Sequence, residues 1–250
     1  MNADPFSLEG KRILVTGASS GIGRQVAISC AEMGATMVVT GRNAERLGQT
    51  LSSLEGAAHV SVVADFRKAD DIGRIVDAAG ELNGLVHCAG ITAVVPFRVI
   101  GEKHLDEILE TNFRAPMMLT QRLLAGRHLM NGGSIVFIAS SAAHIGTPFT
   151  SMYSASKSAL STAARALALE VAAKQRIRVN CLSPGYTRTP MLESLNEGAS
   201  VEGNFALAPL GIGEPEDLAN AVIFFLSDAS CWITRATLHI DGGLTARVSY

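Results

Sequence analysis

Hydrophobic positions along this chain fall into two alternating textures. Short runs are apolar at consecutive positions: Arg12–Thr16, Thr36–Thr40, His59–Ala64, Gly84–Cys88, Ser134–Ala139, Ile177–Leu182 and Thr237–Ile240. Unbroken apolarity over so few residues predicts strands covered on both faces, not strands with one wet side. Between them lie longer stretches with helical spacing: Ile22–Met33, Ala44–Leu54, Lys68–Ala79, Glu102–Leu124, Ser151–Ala173 and Pro215–Leu226. Strand–helix alternation of this kind predicts an α/β fold, an open parallel sheet wound with helices on both faces. The segment from Thr189 to Pro209 has the weakest pattern and reads as a loop or a short helical excursion over the site. With no Pro/Ser-rich linker, repeat or low-complexity tract, the 250 residues read as one domain.

Composition narrows the function classes. Hydrophobic residues make up 48% and charged residues 18%, enough for a sizeable core. The low charge also leaves room for surface covered by partner subunits. A net charge of −2 carries no basic surplus for nucleic acid. Cys30, Cys88, Cys181 and Cys231 are far apart, with no CxxC and no histidine cluster at ligand spacing, so they read as buried hydrophobes and no metal is expected. Met1 to Arg12 lacks the apolar core of a signal peptide, and no uncharged stretch is long enough to span a membrane. A cytoplasmic protein without a membrane partner is the expectation.

The first chemical signal is Thr16-Gly17-Ala18-Ser19-Ser20-Gly21-Ile22-Gly23, directly after the first strand and opening the first helix. Glycines there let the backbone turn tightly and approach a pyrophosphate, while the helix N-terminus offers N–H groups to the phosphates. The spacing is GxxxGxG; a purely structural turn is the competing reading. The end of the second strand reads Thr40-Gly41-Arg42-Asn43. A carboxylate there would accept from the ribose hydroxyls and repel a 2′-phosphate; Arg42 instead offers a guanidinium fork, which favours NADP(H) over NAD(H). Asp65, followed by Phe66, ends the third strand and can accept from an adenine amino group or cap a helix. Cys88-Ala89-Gly90 ends the fourth strand with small residues where a ligand would press on backbone.

The second signal is catalytic. Ser140 ends the fifth strand; Tyr153 and Lys157 follow, four apart and so on one helical face. Reducing a carbonyl builds charge on oxygen, and a proton must arrive there. A tyrosine is a poor acid–base partner at neutral pH unless a neighbouring ammonium lowers its pKa. The serine hydroxyl can hold the substrate oxygen in line. Asn112, on the preceding helical stretch, offers an amide that can hold a water leading from the lysine to bulk solvent. Alone, each has a plainer reading, an exposed aromatic, a solvated lysine, a helix cap.

Together these residues resemble the short-chain dehydrogenase/reductase family, over residues 10 to 243. Further matches are Asn180, Pro184-Gly185, Thr187, Pro209-Leu210-Gly211, Pro215-Glu216-Asp217 and Asp241-Gly242-Gly243. The resemblance is most like 3-oxoacyl-[acyl-carrier-protein] reductases. It implies a seven-stranded Rossmann-type sheet in a single domain, with a cofactor half at about 10–140 and a catalytic half at about 140–243. It also implies a Ser140–Tyr153–Lys157–Asn112 tetrad, with Tyr153 as acid/base and Lys157 on the nicotinamide ribose lowering the tyrosine pKa. Cofactor contacts are implied for Gly17, Ser19, Ser20, Gly21, Ile22, Gly23, Asp65, Phe66, Cys88, Ala89, Gly90, Tyr153, Lys157, Pro184, Gly185 and Thr187. The family commonly forms homotetramers through its long helices, here Glu102–Leu124 and Ser151–Ala173. Three departures stand out. Cys88 replaces an asparagine that helps join strands, Ile212 replaces a basic residue, and Arg235 sits where glycine is usual.

The implied reaction is hydride exchange between nicotinamide and a carbonyl or secondary alcohol. The substrate reads as a 3-oxoacyl thioester or another apolar ketone, with sugar, steroid or quinone alcohols as alternatives and a non-catalytic cofactor-binding regulator as the competing class. Val94, Val95, Phe97, Met191, Leu192, Leu195, Phe205 and Leu207 are the candidate pocket residues. An acidic acyl-carrier protein would want basic residues near the entrance, for which Arg127, His128 and Lys174 are candidates.

Overall fold

The computed structural model describes residues 4–196 and 207–246, with the side chains of 195 and 196 also left out. Seven parallel strands form one sheet: β1 (Arg12–Thr16), β2 (Thr36–Gly41), β3 (Val60–Val63), β4 (Leu82–His87), β5 (Leu129–Ile138), β6 (Arg178–Pro184) and β7 (Thr237–Ile240). Their order is β3-β2-β1-β4-β5-β6-β7. The chain therefore winds one way from β1 to β3 and the other way from β4 to β7. This reversal opens a crevice beyond the carboxyl ends of β1 and β4, where loops leave in opposite directions.

Helices cover both faces, as the two-sided apolarity of the strands requires. On one face, α1 (Gly21–Glu32), α2 (Ala44–Ser52) and α9 (Pro215–Leu226) enclose a core that includes Val15, Val26, Leu47, Val86 and Phe225. On the other, α3 (Ala69–Ala79), α5 (Ala115–Ala125) and α7 (Ser151–Gln175) enclose Leu14, Ile75, Leu85, Leu119, Phe137 and Leu160. Short helices α4 (Glu102–Leu109), α6 (Ala142–Ile145) and α8 (Pro190–Asn196) lie before α5, after β5 and after β6. Among the described residues, no helix is long and apolar enough to cross a membrane.

Two expectations change. The continuous helix expected over Glu102–Leu124 is interrupted by a π-turn at Glu110–Arg114. Pro116 follows directly, in the first turn of α5, and has no N–H to give to the carbonyl four residues back, that of Asn112. Not all cysteines are buried either: Cys30 and Cys181 are, Cys88 is partly so, and Cys231 is exposed, all four as free thiols. The departure at Cys88 does not loosen the sheet. β1 and β4 pair from Ile13↔Gly84 to Thr16↔His87, and beyond that the Thr16 hydroxyl accepts from the Ala89 N–H at 3.3 Å.

Candidate active site

The glycine-rich turn shows why two of its glycines are needed. Gly17 has φ +69°, and a Cβ there would lie 2.7 Å from the Ala89 backbone. A Cβ on Gly23 would lie 2.4 Å from the Gly17 carbonyl. The first glycine thus lets the turn meet the β4 loop, and the last lets α1 sit directly on the turn. Ser20 caps α1 without a side-chain hydrogen bond to it, which leaves the helix start open to an outside acceptor.

A cleft of about 240 Å³ runs along this turn. Gly17, Ser19, Ser20, Gly21, Ile22, Gly23, Arg42, Asp65, Phe66, Cys88, Ala89 and Gly90 all line it. Its charged lining consists of Arg42, Arg46, Arg67 and Asp65. Asp65 is the sole carboxylate of that set and is gripped by its neighbour: Arg67 Nε donates to Oδ1 at 2.9 Å and a terminal nitrogen donates to Oδ2 at 2.6 Å. The Arg67 hydrogen bond is the main force holding the Asp65 carboxyl below the usual range, opposed by burial and helped by Arg42. Arg46 and Arg67 were not picked out from sequence. Arg46 stands one helical turn after Arg42, a spacing that would have flagged it; Arg67 needs the fold of the β3–α3 loop to be seen.

A second, more apolar cavity of about 580 Å³ adjoins the first, with Ile22, Cys88, Gly90, Thr189 and Met191 in both walls. Ser140, Tyr153, Lys157, Pro184, Gly185 and Thr187 line it. β5 delivers Ser140 to the sheet's carboxyl edge, and the first two turns of α7 bring Tyr153 and Lys157 to the same point. Tyr153 and Ser140 face the same cavity. Burial pushes the phenol up from its ordinary value, and the neighbouring Ser140 side chain pulls the other way. Lys157 is buried, and its ammonium donates to the Ile138 carbonyl at 2.8 Å. Burial lowers its pKa to about 8. Its nitrogen lies 6.0 Å from the Tyr153 ring centroid. The expected lowering of the tyrosine by this lysine is therefore not a property of the chain by itself; desolvation wins.

Asn112 sits in the π-turn, fully buried. Its Oδ1 accepts from the Ile91 N–H at 2.8 Å, and its Nδ2 donates to the Ile91 carbonyl at 2.9 Å and to Ser156 Oγ at 3.0 Å. Ser156 in turn donates to the Tyr153 carbonyl at 2.7 Å. The amide expected to hold a water is thus spent on protein, tying the β4 loop to the helix that carries Tyr153 and Lys157.

The candidate pocket residues divide. Val94, Met191, Leu192 and Leu207 line the cavity. Val95 instead donates its N–H to the Phe149 carbonyl, and Phe97 is 71% exposed. The Leu195 side chain and Phe205 lie outside the described residues. Ile145, Pro148 and Phe149, from α6 and the turn after it, complete the apolar wall and carry no sequence signal of their own. Among the described lining residues Lys157 is the one charged side chain.

Arg127, His128 and Lys174 prove misplaced for an entrance. They stand at the start of β5 and the end of α7, the opposite edge of the sheet from Ser140. The paired strand β4 has six residues, Leu82–His87, which separates the two edges by about 20 Å.

Known proteins share this arrangement. A family model described as enoyl-(acyl carrier protein) reductase matches residues 17–245. The 3-oxoacyl-[acyl-carrier-protein] reductase of Chlamydia pneumoniae is 34% identical over 249 residues, 96% of this chain and 99% of that protein. The chain belongs to the short-chain dehydrogenase/reductase family. A putative short-chain alcohol dehydrogenase of Sinorhizobium meliloti superposes with a TM-score of 0.90 at 36% identity, covering 98% of this chain and all of that one. Two other family structures contain nicotinamide nucleotides. A putative gluconate 5-dehydrogenase of Beutenbergia cavernae holds NADP (TM-score 0.88, 32% identity, 98% and 100% covered). A 3-ketoacyl-(acyl-carrier-protein) reductase of Brucella melitensis holds NADH (TM-score 0.87, 29% identity, 96% and 100% covered). As a short-chain dehydrogenase/reductase, the protein is an NAD(P)-dependent oxidoreductase.

Proposed function

We propose that this enzyme is an NADPH-preferring reductase of uncharged, apolar ketones, 3-oxoacyl thioesters among them. The observation that carries the reading is the seating of Tyr153 beside Ser140 and Lys157 in an apolar cavity that shares its wall with a cation-lined cleft. The chain suits the nucleotide: an open helix N-terminus for the pyrophosphate, Arg42 and Arg46 for a 2′-phosphate, and the one cleft carboxylate already neutralised by Arg67. The bound nucleotide supplies the hydride. Tyr153, kept neutral by burial, donates the proton to the oxygen that gains charge, and Ser140 holds that oxygen. Lys157, fixed on the Ile138 carbonyl, supplies positive charge beneath the phenol and a ribose contact. Asn112 acts as a positioning residue through Ile91 and Ser156. Its carbonyl, deprived of its ordinary helical donor by Pro116, is the atom we assign to a relay water.

The cavity disfavours acidic substrates. A carboxylate or phosphate in it would meet Lys157 alone, which is already engaged. An acyl thioester or other neutral ketone loses nothing there and gains the apolar wall. An acyl-carrier protein remains a proposed partner, but Arg127 and Lys174 can serve it only through a second copy. An antiparallel pairing of two α7 helices would set their C-terminal ends beside the other copy's site. Met118 on α5 and Leu169 on α7, 37% and 61% exposed, support a homotetramer built on these helices.

Turnover against acetoacetyl thioesters, ketosteroids, quinones and keto sugars with both reduced cofactors tests the reading. NADPH oxidation with a neutral apolar ketone is expected, falling at least roughly a hundredfold in Tyr153→Phe. Arg42→Ala is expected to weaken NADPH binding far more than NADH binding. Cofactor binding without tyrosine-dependent turnover on any carbonyl would instead support a regulator.

A further inference from the structure

The turn between α6 and α7 carries a residue that its backbone does not suit. Thr147-Pro148-Phe149-Thr150 closes with the Thr150 N–H donating to the Thr147 carbonyl at 3.1 Å, with Pro148 second and Phe149 third at φ +64°. That is the pattern of a type II turn, whose third position asks for glycine. A bulky side chain in left-handed backbone is strained and stays only where its surroundings hold it. Here they do. The Val95 N–H donates to the Phe149 carbonyl at 2.8 Å, while Thr150 Oγ1 donates to the Thr147 carbonyl at 2.8 Å and meets Ser154 Oγ at 3.1 Å. Four other described residues besides glycines have positive φ, and none of them, Ala58, Arg127, Arg176 or Arg235, lines either cavity; Phe149 lines the apolar one.

Core packing does not ask for the phenyl either, since Phe149 is 57% exposed. The cavity does. Ile145, Met191 and Leu207 line it too, and they are also large, apolar and exposed. Single exposed apolar side chains are ordinary, but several around one opening mark a surface that a ligand covers. At about 580 Å³ the cavity is of the size that encloses a drug-sized molecule, more than a small ketone fills. We propose that Phe149 is a specificity-determining residue. Its phenyl, held at the cavity rim against the preference of its own backbone, packs on an extended apolar substituent of the ketone. It thereby favours medium-chain 3-oxoacyl and aryl ketones over short ones. The proposal rests on the ketone-reductase reading above.

Steady-state kinetics of the full chain with NADPH test it, using tetralone and the N-acetylcysteamine thioesters of acetoacetate and 3-oxodecanoate. The unaltered protein is expected to prefer tetralone and the 3-oxodecanoyl thioester. Phe149→Gly is expected to lower kcat/KM for both roughly tenfold, through KM, within what burying a phenyl ring is worth, and to leave the acetoacetyl thioester unchanged. The same variant, freed of its strained backbone, should unfold at a higher urea midpoint, so that the loss is not one of folding. Phe149→Leu, apolar and close in size, should keep most of the preference. An unchanged preference in Phe149→Gly would overturn the proposal, as would an equal loss on the acetoacetyl thioester, the mark of a displaced Tyr153. A lower urea midpoint in Phe149→Gly would overturn it too, since the phenyl would then serve the fold. Failure of the unaltered protein to reduce any of the three would overturn the ketone-reductase reading, and this proposal with it.

Discussion

Lys157 is the residue whose environment most constrains the chemistry. It is a buried ammonium with a pKa lowered to about 8 by burial, beside a phenol raised above its ordinary value of 10 by the same cause. Below pH about 8 the lysine is charged and the tyrosine neutral, the pair of states a carbonyl reduction needs. Reductive kcat/KM is therefore expected to fall as pH rises through about 8, with the lysine and not the tyrosine losing its proton. Lys157→Arg, slower but unable to deprotonate, should lack that alkaline limb. A wild-type profile flat to the tyrosine range would contradict this assignment. Much of the site at this scale was legible beforehand. Tyr153, Lys157 and Ser140 announce themselves because their spacing and the strand end are local properties. Arg67 does not, since its meaning depends on how the β3–α3 loop folds back on Asp65. Asn112 was legible as a residue but not in its bonds, because Ile91 and Ser156 reach it from distant elements.

Elements were readable where punctuation is strong. Helix α9 spans Pro215–Leu226 as expected, because Pro215 starts it and a Glu214–Asp217 capping box closes its N-terminus. β5 begins earlier than its apolar run suggests, since the buried Leu129 already pairs with Leu82 of β4, ahead of the exposed Met130-Asn131-Gly132 where the register shifts. The π-turn left a single trace, Pro116. The unusual Arg235 gains a physical meaning here. It has φ +66°, the left-handed region that glycine enters freely and other residues enter at a cost. Its N–H still donates to the Val179 carbonyl at 2.7 Å and so secures β7 against β6. Arg235→Gly is expected to stabilise the fold by about 1 kcal/mol, read as a rise in the urea midpoint with unchanged slope. A lower midpoint would show that the arginine side chain contributes more than its backbone costs.

At the scale of the whole molecule, winding order does most of the work. Because strand order reverses between β1 and β4, one edge of the sheet gathers the glycine turn, the arginines, Ser140, Tyr153 and Lys157 from segments spread over most of the chain. The opposite edge collects Arg127, His128 and Lys174, so a direct role for them in one chain's entrance is excluded by geometry that no local pattern reveals. If the long helices assemble as proposed, light scattering should give the mass of four copies, and a charged residue at Leu169 on the outer face of α7 should lower it. A monomer at micromolar concentration would remove the proposed route for an acyl-carrier protein to reach those residues.

The most direct test of the central claim is a single-turnover reaction of enzyme-bound NADPH carrying deuterium at the transferable position with an acetoacetyl thioester. The account predicts deuterium on the product's new carbinol carbon, at a rate that collapses in Tyr153→Phe while NADPH affinity holds. Product formed without deuterium, or formed equally fast by Tyr153→Phe, would contradict it.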